Sequence, residues 1–139
     1  MPSFTTIHDV KEITFPAHAS PEADLYVYDH GVNVPFLIKR TFVVDASQAC
    51  NRGFHAHKEC VQLLVCLKGE IVLKVLDGSG TKTITMNNSS KGVLVPAGLW
   101  GEQDYSDDSL LMVLTDQSYD EEDYIRNYDD FLEYRKTLA

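Results

Sequence analysis

The chain has 139 residues, 44% hydrophobic and 24% charged, a globular balance that excludes disorder and fibrous repeats and suits one domain with one core. Twelve Lys and Arg against twenty-one Asp and Glu leave a net charge of −9, which opposes non-specific nucleic-acid binding but leaves room for one phosphorylated metabolite in a local basic pocket. No apolar run approaches the ~20 residues that span a bilayer, MPSFTTIHDVKEI lacks the pattern of a signal peptide, and Cys50, Cys60 and Cys66 form no CxxC; the reading is a cytoplasmic protein with reduced thiols, and no membrane partner.

In chain order, the segment from about Ile7 to Leu114 reads as short strands divided by turns. DLYVYD (Asp24–Asp29) alternates apolar and polar residues with the period of a half-buried strand. IKRTFVVD (Ile38–Asp45) is rich in β-branched and aromatic residues. LLVCL, IVLKVL and TKTITM follow, punctuated by KGE and DGSG, and GVLVPAGLW and SLLMVLTD add two more apolar runs. Many short strands without an internal repeat predict an all-β antiparallel sandwich or barrel in one domain over residues 1–139. The tail differs: Ser118 or Asp120 can cap a helix, the acidic run Asp120–Asp123 suits its N-terminus, and Arg135 and Lys136 suit its C-terminus. A short helix is therefore expected over about 118–137, with Tyr124, Tyr128, Phe131 and Leu132 on its packing face.

RGFHAHKECVQLLVCLKGE carries the chemistry. His55 and His57, two apart on a strand, project from one face. Two such imidazoles can bind a metal, share acid–base work, or sit as structurally satisfied histidines. His55-x-His57, then Gln62 and Gly69, resembles the first cupin motif, and Pro96-Ala97-Gly98-Leu99-Trp100-Gly101 resembles the second, PxGxxH. The resemblance implies a cupin-type jelly-roll barrel with these positions converging inside it. In metal-binding cupins a Glu and a His stand where this chain has Gln62 and Gly101. Two neutral imidazoles and an amide offer no charge to a dehydrated dication, so no tightly bound catalytic metal is expected.

PFLIKR (Pro35–Arg40), RGFHAHK (Arg52–Lys58), QLLVCLKG (Gln62–Gly69), VPAGLW (Val95–Trp100) and YDEEDYIRNYDDFL (Tyr119–Leu132) together resemble the nucleotide-sugar 3,4-ketoisomerases of deoxysugar biosynthesis. That resemblance implies a cofactor-free isomerase acting on dTDP-4-keto-6-deoxyglucose, commonly a homodimer with exchanged strands. It implies His57 as the base and His55 as its partner acid or a hydrogen-bonding group. Moving a ketone from C4 to C3 through an enediol needs such a pair. Gln62 is expected to orient a histidine or the sugar, and Arg40 and Arg52 to hold the pyrophosphate, to which planar guanidinium groups are suited. Trp100 is expected against the sugar or base. Lys39 and Lys58 are read as solvated charges. Gly101, where the family often has a basic side chain, leaves the C4 configuration of the product open. The alternatives are an isomerase or epimerase for another nucleotide-linked keto sugar, and a non-catalytic sugar-nucleotide-binding cupin.

Overall fold

The computed structural model describes residues 4–138, so residues 1–3 and 139 of the single-domain expectation lie outside the described residues. One five-stranded sheet runs in the order β1 (Lys11–Thr14), β9 (Lys91–Val95), β6 (Gln62–Lys68), β11 (Ser109–Thr115), β4 (Arg40–Ala46). The other runs β12 (Tyr124–Ile125), β5 (Cys50–His57), β10 (Trp100–Tyr105), β7 (Ile71–Leu76), β8 (Thr81–Met86). Each pairing in these sheets is antiparallel. A small hairpin, β2 (Ala17–Ala19) with β3 (Asp24–Tyr26), stands apart from them. The order interleaves distant strands, as in a jelly roll, and the expected all-β cupin-type architecture is what the chain adopts.

Side-chain parity explains the packing. Leu64 and Cys66 of β6 point inward, to a core shared with Leu111 and Val113 of β11 and with Ile71, Leu73 and Val75 of β7 in the facing sheet. Leu63 and Val65, of opposite parity, pack outward against Phe15 and Val34 of the N-terminal segment. β6 is therefore buried on both faces, which is why LLVCL reads as an unbroken apolar run rather than an alternation. The expected strand over Asp24–Asp29 is shorter, ending at Tyr26. Val27 N–H bonds to the Pro16 carbonyl, and Asp29 then accepts from the N–H groups of Val32, Asn33 and Val34 in a turn.

The expected helix over 118–137 is corrected to α1 (Tyr128–Leu138). Residues upstream of it form a 3₁₀ turn at Glu121–Asp123 and then β12. Sheet pairing of Tyr124 and Ile125 with His57 and Ala56 takes the backbone bonds that a helix would use. The Asn127 side chain accepts from Asp130 N–H and starts the helix there instead. α1 closes the outer face of the second sheet, where Phe131, Trp100, Ala56 and Ile125 form a third buried cluster. Arg135, buried, donates from one Nη to the carbonyls of Thr5 and Gly98, tying the helix to the N-terminal segment and the PAG loop.

Phe131 is fully buried at the centre of that cluster. Phe131→Ala is expected to cost about 3–5 kcal/mol through lost burial and a cavity, read as a fall in the urea midpoint at unchanged strand content.

Candidate active site

β5 does not alternate regularly through the motif. Gly101 of β10 pairs with His55, but Glu102 pairs with Gly53, so Phe54 is an extra, unpaired residue. Gly53 has φ +92° and Phe54 φ +57°, both left-handed, and Phe54 stands out into solvent at 45% exposure. The bulge switches parity. A regular strand would place Asn51 on the same face as His55 and His57; after the bulge it is Arg52 that lines the cavity with His55, opposite Gln103. A left-handed Phe is costly, ~1–3 kcal/mol, and the surrounding register holds it in place.

The cavity opens between the two sheets and has a volume of about 340 Å³. Arg40, Arg52, His55, Gln62, Tyr124 and Arg126 supply its polar and aromatic wall. A narrow inner recess continues from it, lined by His55, His57, Gln62 and Gly101 among others. His57 is only 6% exposed. Its Nδ1 is 2.9 Å from Asp123 Oδ2, and its Nε2 is buried with no hydrogen-bond partner among the described residues. Asp123 is itself held fast: it accepts the N–H groups of Glu59 at 2.7 Å and Cys60 at 3.3 Å, and its carbonyl accepts from Lys58. A carboxylate so fixed accepts a hydrogen bond from Nδ1–H and leaves the Nε2 lone pair facing the recess.

The two imidazoles lie edge to face with centroids 5.0 Å apart, and Tyr124 packs on both, 5.1 Å from His55 and 4.3 Å from His57. Burial pushes the His55 pKa down to about 4, with the neighbouring His57 adding to the shift. Burial also lowers the His57 pKa below the usual 6.5, with the Asp123 hydrogen bond and charge acting in the opposite direction. Both rings are therefore neutral near pH 7.

Of the expected site residues, His55, His57, Gln62, Arg40 and Arg52 converge on this cavity and its recess. Lys39 and Lys58 do not line the cavity. The expectation for Trp100 is corrected. It pairs with Ala56 across the sheet and shares that residue's outward parity, so its ring is 3% exposed in the cluster under α1. Tyr128 and Phe131 pack on that ring, and its Nε1 donates to Glu102. Gly101, its neighbour, faces inward, and a side chain there would meet nothing within 4 Å. Asp123, Tyr124, Arg126 and Gln103 were not among the expected site residues; the first three lay in the acidic tail read as a helix.

A cupin metal fits this donor set poorly. His57 has its Nδ1 engaged by Asp123, Gln62 is a neutral amide, and Gly101 supplies no donor. His57, Cys60 and Asp123 do bring ligand atoms within 4.8 Å of one another. Burial, with Asp116 and Asp123 nearby, pushes the Cys60 thiol up to about 12, and His57 Nδ1 and the Asp123 carboxylate are already engaged with each other and with backbone N–H groups.

Residues 8–136 match the family model described as FdtA: WxcM-like, C-terminal. The TDP-4-oxo-6-deoxy-alpha-D-glucose-3,4-oxoisomerase of Aneurinibacillus thermoaerophilus is 39% identical over 126 residues, 89% of this chain and 91% of that one. A mutant of QdtA, a 3,4-ketoisomerase from Thermoanaerobacterium thermosaccharolyticum, with one histidine replaced by asparagine and TDP-4-keto-6-deoxyglucose bound, superposes with a TM-score of 0.89. Identity is 31%, and 94% of this chain and 96% of that one are covered. The TDP-fucose-3,4-ketoisomerase of Campylobacter jejuni gives a TM-score of 0.85 at 31% identity, covering 94% and 98%.

A methyl group at Gly53 would sit 2.9 Å from the Gly101 carbonyl oxygen, on a backbone that disfavours a side chain. Gly53→Ala is expected to cost about 1–3 kcal/mol in unfolding free energy and to reduce turnover by misplacing Arg52 and His55, as checked by urea denaturation and initial rates.

Proposed function

The chain belongs to the FdtA, WxcM-like C-terminal family, and from that premise we propose that it converts dTDP-4-keto-6-deoxyglucose to a dTDP-3-keto-6-deoxyhexose with His57 as the base. The observation that carries this reading is the division of labour within one imidazole: Nδ1 engaged by Asp123, Nε2 buried and free. The kinship with sugar 3,4-ketoisomerases supports the reaction class and the nucleotide sugar.

In this mechanism the neutral His57 Nε2 removes the proton from C3. The C3–H electrons form the C3=C4 bond, and the C4 carbonyl oxygen takes up a proton to give the enediol. Loss of the O3 proton then forms the C3 ketone, and C4 is protonated, so two protons leave C3 and O3, two arrive at O4 and C4, and no external redox equivalent is exchanged. Asp123 stabilises the imidazolium formed in the first half and returns His57 to the same tautomer in the second. His55, whose pKa is pushed down to about 4, acts as a neutral hydrogen-bonding partner for the sugar oxygens rather than as a standing cation. Gln62, lining both cavity and recess, orients the sugar, and Arg40 and Arg52 draw in the pyrophosphate. No step calls for a metal or an organic cofactor.

Turnover in deuterated water tests the reaction: deuterium at C4 of the product is expected, and no exchange at any enzyme concentration would sink it. His57→Asn is expected to lower turnover by about a hundred- to ten-thousand-fold while dTDP affinity stays nearly intact. A pure binding module would show that affinity and no exchange in the wild type.

We also propose a single cupin domain that works as a homodimer in the cytoplasm. Among the described residues no helix is long and apolar enough to cross a membrane. β4 is the end strand of its sheet, and its Val43 is 53% exposed. Leu25, next to the β2–β3 hairpin turn, and Val32 are also exposed. Unpaired strand edges with apolar side chains favour strand pairing with a second copy. Sedimentation equilibrium should give twice the 15.6 kDa monomer mass; a monomer at micromolar concentration would overturn the assignment.

A further inference from the structure

Arg126 follows β12 and reaches back into the cavity wall. Its guanidinium lies 4.4 Å over Tyr124, the ring that packs on both histidines. Arg40 is on the same rim, 4.5 Å over Phe42 and 5.1 Å over Tyr119. The three arginines of the cavity differ in one respect. Arg40 and Arg52 have no carboxylate partner among the described residues, whereas Arg126 donates from Nε and Nη2, along one edge of its guanidinium, to the two carboxylate oxygens of Glu121 at 2.7 and 2.9 Å. The Tyr119 hydroxyl donates to that same carboxylate.

The grip is well formed and poorly protected. Both side chains are more than half exposed, and an ion pair in that setting contributes little to stability because water and salt screen it. A structural brace is normally built where solvent is excluded. What Glu121 does supply is a planar two-oxygen anion in the fork of Arg126, the geometry in which a guanidinium also binds a phosphate. Glu121, on the open surface, can be released to water at little desolvation cost.

We propose that Glu121 is a stand-in anion, and that Arg126 exchanges it for the diphosphate of the nucleotide sugar as the ligand enters beside Arg40. The inference rests on the nucleotide-sugar reading above and adds a binding residue to it. It also explains why one of three converging arginines carries a counter-ion: without ligand, Glu121 relieves their mutual repulsion, and with ligand it is no longer needed.

An exchange and a brace predict opposite signs for one substitution. Binding of dTDP is measured by calorimetry at fixed low salt for the wild type, Arg126→Gln, Arg126→Lys and Glu121→Gln, with thermal midpoints as a check on folding. Under the exchange, Arg126→Gln weakens dTDP roughly tenfold or more and lessens the salt dependence of binding, and Arg126→Lys falls between it and wild type. Glu121→Gln removes the competitor and tightens dTDP several-fold. Under a brace, Glu121→Gln loosens the wall and weakens dTDP, as Arg126→Gln does; that result, or an Arg126→Gln affinity equal to wild type, overturns the exchange while leaving the ketoisomerase assignment standing. A wild type with no affinity for dTDP overturns both.

Discussion

The hydrogen bond between His57 and Asp123 is the constraint on which the rest of the site depends. It joins residues 66 positions apart, and it binds the segment before α1 to the end of β5. Asp123 can serve because it is oriented three times over, by the N–H groups of Glu59 and Cys60 and by its own carbonyl on Lys58. With Nδ1 committed, tautomer and ring orientation are settled, and Nε2 is left as a buried, unsatisfied acceptor. A buried polar atom without a partner is costly in a resting protein. Its place in the recess with His55, Gln62 and Gly101 gives that cost a purpose under the proposed function, in which a substrate proton is the partner it lacks.

The bulge at Gly53 and Phe54 is the second device, and it solves a problem of periodicity. A strand offers one face only every second residue, so a histidine pair at 55 and 57 would leave position 52 on the wrong side. One extra residue restores it, placing the cation on the same wall as the imidazoles, beside Gln103 of the neighbouring β10. The requirement falls on Gly53 because its Cα lies so close to β10 that a side chain would strike the Gly101 carbonyl. Strain of this kind next to the histidine pair persists because long β5–β10 and β10–β7 pairing over-determines it.

Much of this was legible in the sequence, and what was not has identifiable causes. Strand-rich patterning announced the all-β fold, and the HxH spacing placed both imidazoles on one face. Local pattern could not reveal the bulge, since a glycine followed by phenylalanine also suits a regular strand, so Arg52 came from resemblance rather than from alternation. Trp100 fails by parity: adjacent to Gly101, it must face the other way, and that inference was available once Gly101 was set opposite the histidines. Asp123 was hidden by its company. In an acidic run before a tyrosine-rich segment it reads as one more charge at a helix N-terminus. Only the pairing of Tyr124 and Ile125 with His57 and Ala56, a contact between distant segments, turns it toward the ring.

The cavity of this acidic chain, of net charge −9, has a positive wall that acts on the two histidines. Burial is the main reason that His57 resists protonation, and Arg126 and Arg40 add to it by repelling a positive imidazolium. Arg126 bears on His55 in the same sense. The free site therefore keeps both imidazoles neutral. With His57 as the base proposed above, an anion that neutralises those arginines removes part of the push and raises the proton affinity of the ring as the ligand arrives. Guanidinium groups placed to attract an anion thus couple its arrival to the proton affinity of a ring they do not touch, through the electrostatic field of the cavity.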